Sequence, residues 1–174
     1  LEGMIAARLP AGPTTPYKLP PPAVKVAIVG RVNVGKSSLV NALLREERMI
    51  VSEVPGTTRD SIFVPFSRDE RDFVLIDTAG VRRRSRVEDD VERASVTKTL
   101  QAIDKAHVVI FVCDAHDVIG EQDASVLGLA LNRGRALLIA VNKWDGIPME
   151  QREDIRRQLE LKLDFVPYAP VHFI

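Results

Sequence analysis

Between Val24 and Ile174 the chain alternates short apolar runs with stretches in which apolar residues recur every three or four positions. The runs predict strands and the stretches predict helices. A strand over 24–29 leads to a helix near 36–46 that carries Leu39, Val40, Leu43 and Leu44 on one face. Residues 47–60 form a polar loop ending Pro55-Gly56-Thr57-Thr58-Arg59-Asp60. Ile62, Val64 and Phe66 then alternate, and Pro65 marks an edge strand. Ser67 to Asp72 is a polar turn, so the strand Phe73 to Ile76 is predicted to return antiparallel. After a charged stretch over 81–89, a helix around 90–105 turns Val91, Ala94, Leu100 and Ile103 inward. Val108 to Val112 and Leu137 to Val141 are continuous apolar runs, the signature of strands covered on both faces. Between them a helix near 121–133 places Ala124, Leu127 and Leu131 on one side. A last helix, about 149–163, carries Ile155, Leu159 and Leu163, and a further strand begins at Pro170. The pattern predicts an α/β fold: a mostly parallel six-stranded sheet, helices on both faces and one antiparallel edge strand.

The first 22 residues break this pattern. Leu1, Met4, Ile5 and Leu9 recur at helical spacing, but nine residues hold no helix alone in water. Pro10, Pro13, Pro16, Pro20, Pro21 and Pro22 follow, which makes 10–22 an extended linker. Residues 1–9 read as the tail of something that packs elsewhere, or as a cloning remnant. The single domain predicted is then 23–174.

Composition narrows the picture. The 174 residues are 45% hydrophobic and 28% charged with a net charge of zero, ordinary for a globular protein and unlike a nonspecific nucleic-acid binder. The single cysteine, Cys113, ends an apolar run and predicts a buried structural thiol. No stretch approaches the ~18 apolar residues of a membrane span, and no signal segment is recognisable, so a cytoplasmic protein with no membrane partner is expected. His107, His116 and His172 lack metal-ligand spacing.

The chemistry lies at strand ends. Gly30-Arg31-Val32-Asn33-Val34-Gly35-Lys36-Ser37 matches G-x-x-x-x-G-K-[ST] between a predicted strand and a predicted helix, the setting a P-loop requires. Glycines at Gly30 and Gly35 let the backbone N–H groups from Asn33 and Val34 through Ser38 converge on one anion, and the helix dipole assists. Lys36 is expected to reach the β- and γ-phosphates and Ser37 to hold Mg²⁺. Asp77, in Asp77-Thr78-Ala79-Gly80, can hold Mg²⁺ through water, while the Gly80 N–H contacts the γ-phosphate. Thr57 or Thr58, with Thr58 favoured, can complete the Mg²⁺ shell when the γ-phosphate is present. A plain turn remains the alternative for that loop. In Asn142-Lys143-Trp144-Asp145 the Asp145 carboxylate can accept from both guanine N–H groups, which adenine does not offer as a pair. Asn142 can tether neighbouring loops and bond the base, and the Lys143 stem can lie over the ring.

These motifs resemble the translation-factor-related P-loop GTPases, and most closely the second GTPase domain of the EngA/Der family of bacterial ribosome-assembly factors. The resemblance is carried by Lys25 to Arg31, Pro55 to Ile62, Ile76 to Arg84, Thr99 to Ile103, Ala140 to Asp145 and Ala169 to Ile174. It implies a Ras-like G domain over 23–174, with 1–9 the tail of an upstream GTPase domain and 10–22 the linker. It implies GTP and GDP as substrate and product, large-subunit ribosome assembly as the process, and ribosomal RNA and a KH-like domain as partners of the full-length protein. It also implies a Ser-Ala guanine loop just beyond Ile174, whose contact to the base this piece would lack. Val32 stands where family members usually carry proline, with its side chain expected to point away from phosphate.

Ras-like enzymes orient the attacking water with a glutamine just after the D-x-x-G glycine. Here that position is Val81. By resemblance, a potassium ion held partly by Asn33 supplies the missing charge, so Lys36, Asn33, Thr58 and Gly80 form the expected catalytic set. Asn33 as a local loop cap is the alternative. Arg82, Arg83, Arg84 and Arg86, followed by Glu88, Asp89, Asp90 and Glu92, read either as a self-compensating loop or as a contact to RNA or a neighbouring domain. Three functions compete: a GTP-hydrolysing switch, in ribosome assembly or in tRNA modification; a GTP/GDP-binding module with negligible hydrolysis; and a P-loop kinase, against which Asn142 to Asp145 argue.

Overall fold

The computed structural model describes residues 22–45, 63–76 and 91–174. Within them the chain runs β1 (Val24–Val29), α1 (Lys36–Arg45), β2 (Phe63–Arg68), β3 (Arg71–Ile76), α2 (Val91–Lys105), β4 (Val108–Asp114), α3 (Glu121–Asn132), β5 (Ala136–Asn142), a 3₁₀ turn (Trp144–Gly146), α4 (Met149–Lys162) and β6 (Val171–Phe173). The six strands form one sheet in the order β2-β3-β1-β4-β5-β6. All neighbours are parallel except β2 and β3. The predicted fold class is therefore the observed one.

Side chains alternate across a strand, so each strand feeds two cores. On one face Ala27, Val29, Val109, Phe111, Cys113, Ile139 and Val141 pack with Ala102 and Ile103 of α2, Leu127 and Ala130 of α3, and Leu159 of α4. On the other, Val26 packs with Val40 of α1, and Val112 and Ala140 pack with Val34. Cys113 lies in the first core, where burial pushes its thiol up to about 12, an inert structural group.

Several expectations need correction. Leu100 and Leu131 are 39% and 36% exposed rather than inward, because Ile103 and Leu127 already fill the α2 and α3 contacts with the sheet. The polar turn between β2 and β3 is shorter than predicted. The ladder continues through Ser67–Asp72 and Arg68–Arg71, leaving only Asp69 and Glu70 at φ 49° and 62°. Two left-handed residues match the twist of paired strands, which polar composition alone does not reveal. Val108, Ile110 and Leu138 are only half-buried on the α1 face, so the double coverage predicted for the central strands is incomplete. Pro65 does lie on an edge strand, β2.

Candidate functional site

The register brings the C-terminal ends of β1, β4 and β5 together. Val29 pairs with Phe111, and Asp114 pairs with Asn142. The segments that leave these strands, at Gly30, Ala115 and Lys143, therefore share one edge, where open α/β sheets bind ligands.

The phosphate loop is shaped by two close approaches. A Cβ on Gly30 would lie 2.2 Å from the Val112 carbonyl oxygen, at φ 146°. A Cβ on Gly35 would lie 2.0 Å from Asn142 Nδ2, at φ 98°. Only glycine fits either position. Asn33 takes the left-handed conformation at φ 61° and is exposed. Val32, 71% exposed, points away from the fold, whereas Val34, 4% exposed, anchors the loop against Val112 and Ala140. The Leu39 amide makes the first helical bond to the Gly35 carbonyl at 3.0 Å. The amides of Lys36, Ser37 and Ser38 precede it, at the helix end that favours an anion. Lys36 donates to the carbonyl oxygens of Gly30, at 2.7 Å, and Arg31, and burial lowers its pKa. Ser37 is exposed on the same turn.

The base motif is joined to this loop directly. Asn142, the last residue of β5, donates from Nδ2 to the Val34 carbonyl at 2.8 Å. Lys143 is left-handed at φ 63° and turns the chain into the 3₁₀ turn that carries Asp145. Asp145 is exposed. Beneath it, the Trp144 ring lies 4.3 Å from the Phe173 ring, with the Arg152 and Arg156 guanidiniums 5.3 and 5.4 Å away. The Trp144 amide donates to the Ile174 carbonyl at 3.1 Å, so the end of β6 supports the turn.

Motif reading missed the groups that hold this edge. Asp114 Oδ2 lies 2.5 Å from Lys143 Nζ, and its Oδ1 accepts the His116 amide at 2.9 Å and meets His116 Nδ1 at 3.0 Å. Burial alone would raise the Asp114 carboxyl, but hydrogen bonds from Lys143 and from the His116 amide and ring draw it down to about 2. Arg31 reaches the same segment. Its Nη1 lies 2.6 Å from Asp117 Oδ2, its Nη2 donates to the Asp117 carbonyl at 2.6 Å, and its Nε lies 3.0 Å from Asp123 Oδ2. The hydrogen bond to Asp117 outweighs burial and raises the guanidinium pKa. The sequence signal for Asp123 was an acidic residue in the first turn of a helix; its partner, far upstream, leaves no local trace.

Of the residues singled out from sequence, Gly30, Asn33, Val34, Gly35, Lys36, Ser37, Ser38, Asn142, Lys143 and Asp145 lie at this edge. Thr57, Thr58, Asp77, Gly80, Val81 and the Arg82–Arg86 run lie outside the described residues, as do residues 1–21. Among the described residues no cluster of three or more His, Cys, Asp or Glu is placed to hold a metal ion. A cavity of about 350 Å³ between α4 and β6, lined by Leu159, Leu163, Val166 and Phe173 among others, shares no lining residue with either motif. No described helix is long and apolar enough to cross a membrane.

A glycine-shaped anion loop on a helix N-terminus, bonded to a strand-end Asn-Lys-Trp-Asp turn, defines a P-loop nucleotide-binding domain. Residues 25–143 match the family described as 50S ribosome-binding GTPase, and the chain belongs to that family. Among curated relatives it is similar to GTPase Der of Thioalkalivibrio sulfidiphilus, 58% identical over 153 residues, which covers 88% of this chain and 33% of that protein. GTPase Der of Vibrio cholerae is 57% identical over 151 residues, 87% of this chain and 31% of the relative. The chain thus spans about a third of the length of these relatives. Among solved structures it resembles Era in complex with MgGDPNP and nucleotides of 16S ribosomal RNA, with a TM-score of 0.62 and 25% identity over 87% of this chain and 50% of that one. The elongation factor SelB of Methanococcus maripaludis, at TM-score 0.65 and 16% identity over 90% of this chain and 30% of that one, shares the fold.

Proposed function

We propose that this chain is a GTP-binding and GTP-hydrolysing switch of a cytoplasmic ribosome-assembly factor, with 23–174 as its second GTPase domain and 1–22 as the end of the first domain and the linker. The observation that carries the reading is the hydrogen bond from Asn142 to the Val34 carbonyl. It fixes a guanine-selective turn at a set distance from a phosphate loop, as a single nucleoside di- or triphosphate requires. The family's description as 50S ribosome-binding GTPase supports the partnership with the large ribosomal subunit, and the assembly role is what the resemblance to the EngA/Der family implies. Era, which is solved with ribosomal RNA, supports an RNA contact.

Lys36, held by the Gly30 and Arg31 carbonyls, directs its ammonium at the β- and γ-phosphates and neutralises them, while the amides from Asn33 to Ser38 hold their oxygens. Asp145 reads the guanine N–H pair, Asn142 holds the two loops together, and the Lys143 stem covers the ring. Ser37, exposed on the first turn of α1, fits a hard oxygen ligand for Mg²⁺, with Thr58 and Asp77 completing its shell. When bound, that ion would supply positive charge to offset the phosphates. Val81 cannot orient water, and Gly80 contributes an N–H to the γ-phosphate. The exposed, left-handed Asn33 offers its side-chain carbonyl as a ligand for K⁺. Phosphate release in Mg²⁺ buffers tests this: turnover should be slow in NaCl and rise about tenfold or more in KCl. Equal rates in the two salts, with GTP bound, would remove the K⁺ role. The same assay with no release in either salt would favour a binding module.

A further inference from the structure

We propose that Arg31 is a positioning residue of the phosphate loop, held by Asp117 and Asp123 so that its carbonyl fixes where the Lys36 ammonium sits. The inference rests on the nucleotide-binding reading above and deepens it. Arg31 acts from both ends. Its backbone oxygen accepts the Lys36 ammonium. Its guanidinium donates two hydrogen bonds to the segment that follows β4, to the Asp117 carboxylate and the Asp117 carbonyl, and its Nε lies 3.0 Å from the Asp123 carboxylate as an ion pair without a hydrogen bond. Two bonds from one planar fork, made beside the buried Asp123 charge, fix its orientation, which makes it a locator rather than a generic positive charge.

The acceptors are themselves fixed. Asp123 is 2% exposed, the one buried charged residue among those described. It accepts the Gly120 amide at 2.9 Å at the start of α3, and Arg31 is its cation. Without Arg31 a buried carboxylate loses its counter-charge, so the guanidinium cannot drift into solvent without cost. Asp117 donates its amide to the Asp114 carbonyl at 3.1 Å, and Asp114 binds Lys143. One tight turn, 114–117, therefore holds Arg31 of the phosphate loop at one end and Lys143 of the base motif at the other. The Asn142–Val34 bond ties the two loops at a second point. An exposed ion pair such as Arg31–Asp117 contributes little by itself to stability. Its consequence here is for the geometry of Lys36.

The test is the release rate of a fluorescent GDP from the wild-type protein and from R31A, R31K, D117A and R31A/D117A, with melting temperatures alongside. R31A should release GDP about tenfold faster, the effect of losing one charge-assisted contact. D117A, whose carboxylate is 72% exposed, should release it faster at an unchanged melting temperature. The double variant should be no faster than R31A, because both act through one clamp. R31K should recover part of the loss, and the preference for GDP over ADP should stay as in the wild type. Release within about twofold of wild type in both R31A and D117A overturns the proposal, as does a double variant whose effect is the product of the two. If R31A does not fold, D117A decides alone: faster release supports the clamp and unchanged release overturns it. A wild-type protein that binds GDP no better than ADP overturns the underlying reading and this one with it.

Discussion

Asp114→Asn isolates the carboxylate that holds Lys143 beside the base motif. Asp114 is 17% exposed, and its contacts with Lys143 and His116 hold it at about 2 against an ordinary 3.8. At about 1.4 kcal/mol per pH unit, that depression corresponds to about 2 kcal/mol of stability at pH 7. The folded value lies below the unfolded one, so the contribution is complete above about pH 5 and fades as the pH falls toward 2. By pH 3 about half of it should be gone. Urea unfolding of wild type and D114N at pH 7, 5, 4 and 3 reads this directly. The gap between the two should be near 2 kcal/mol at pH 7 and 5 and should narrow steadily below. A gap that stays constant from pH 5 to 3, or one under about 0.5 kcal/mol at pH 7, would refute the account of Asp114 as a charge held by its neighbours.

Gly35→Ala places a methyl 2.0 Å from Asn142 Nδ2 in a backbone at φ 98°. The left-handed strain costs about 1–2 kcal/mol, and the displaced amide loses its bond to Val34. GDP titration should show affinity down about tenfold or more; an unchanged affinity would mean that the Asn142–Val34 link is dispensable. Trp144→Ala removes a ring that meets Phe173 and both arginines, leaving Arg156 over Phe173. As the ring is half-buried, denaturant unfolding followed by circular dichroism should show a loss of about 2 kcal/mol, and a loss below about 0.5 would make the stack ornamental.

The sheet was legible because β4 and β5 are written as continuous apolar runs, β1 as an apolar run broken only by Lys25, and the helices between them as three-and-four repeats. The glycines of the phosphate loop were legible for a related reason: close approach to Val112 and Asn142 tolerates no other residue. Leu100 and Leu131 misled because periodicity finds a face, and the space against the sheet decides which of its residues are covered. The clamp on Arg31 and the pairing of Asp114 with Lys143 were not legible. Each joins residues brought together only by parallel pairing of β4 with its neighbours, and no local pattern encodes that. Asp123 illustrates the point: an acidic first-turn residue suits any helix, and only the burial of its carboxylate beside Arg31 separates it from the exposed Glu121.

The central claim is that Asn142 to Asp145 select guanine for the phosphate loop to which they are bonded. Displacement of a fluorescent GDP by GDP, ADP and XDP, from wild type and from D145N, tests it most directly. A carboxylate matches the two N–H donors of guanine, whereas an amide offers xanthine a donor for its extra carbonyl. Wild type should prefer GDP over ADP by about 1,000-fold, and D145N should weaken for GDP by about 100-fold and prefer XDP. ADP competing as well as GDP, or D145N keeping its preference for GDP, would contradict the account.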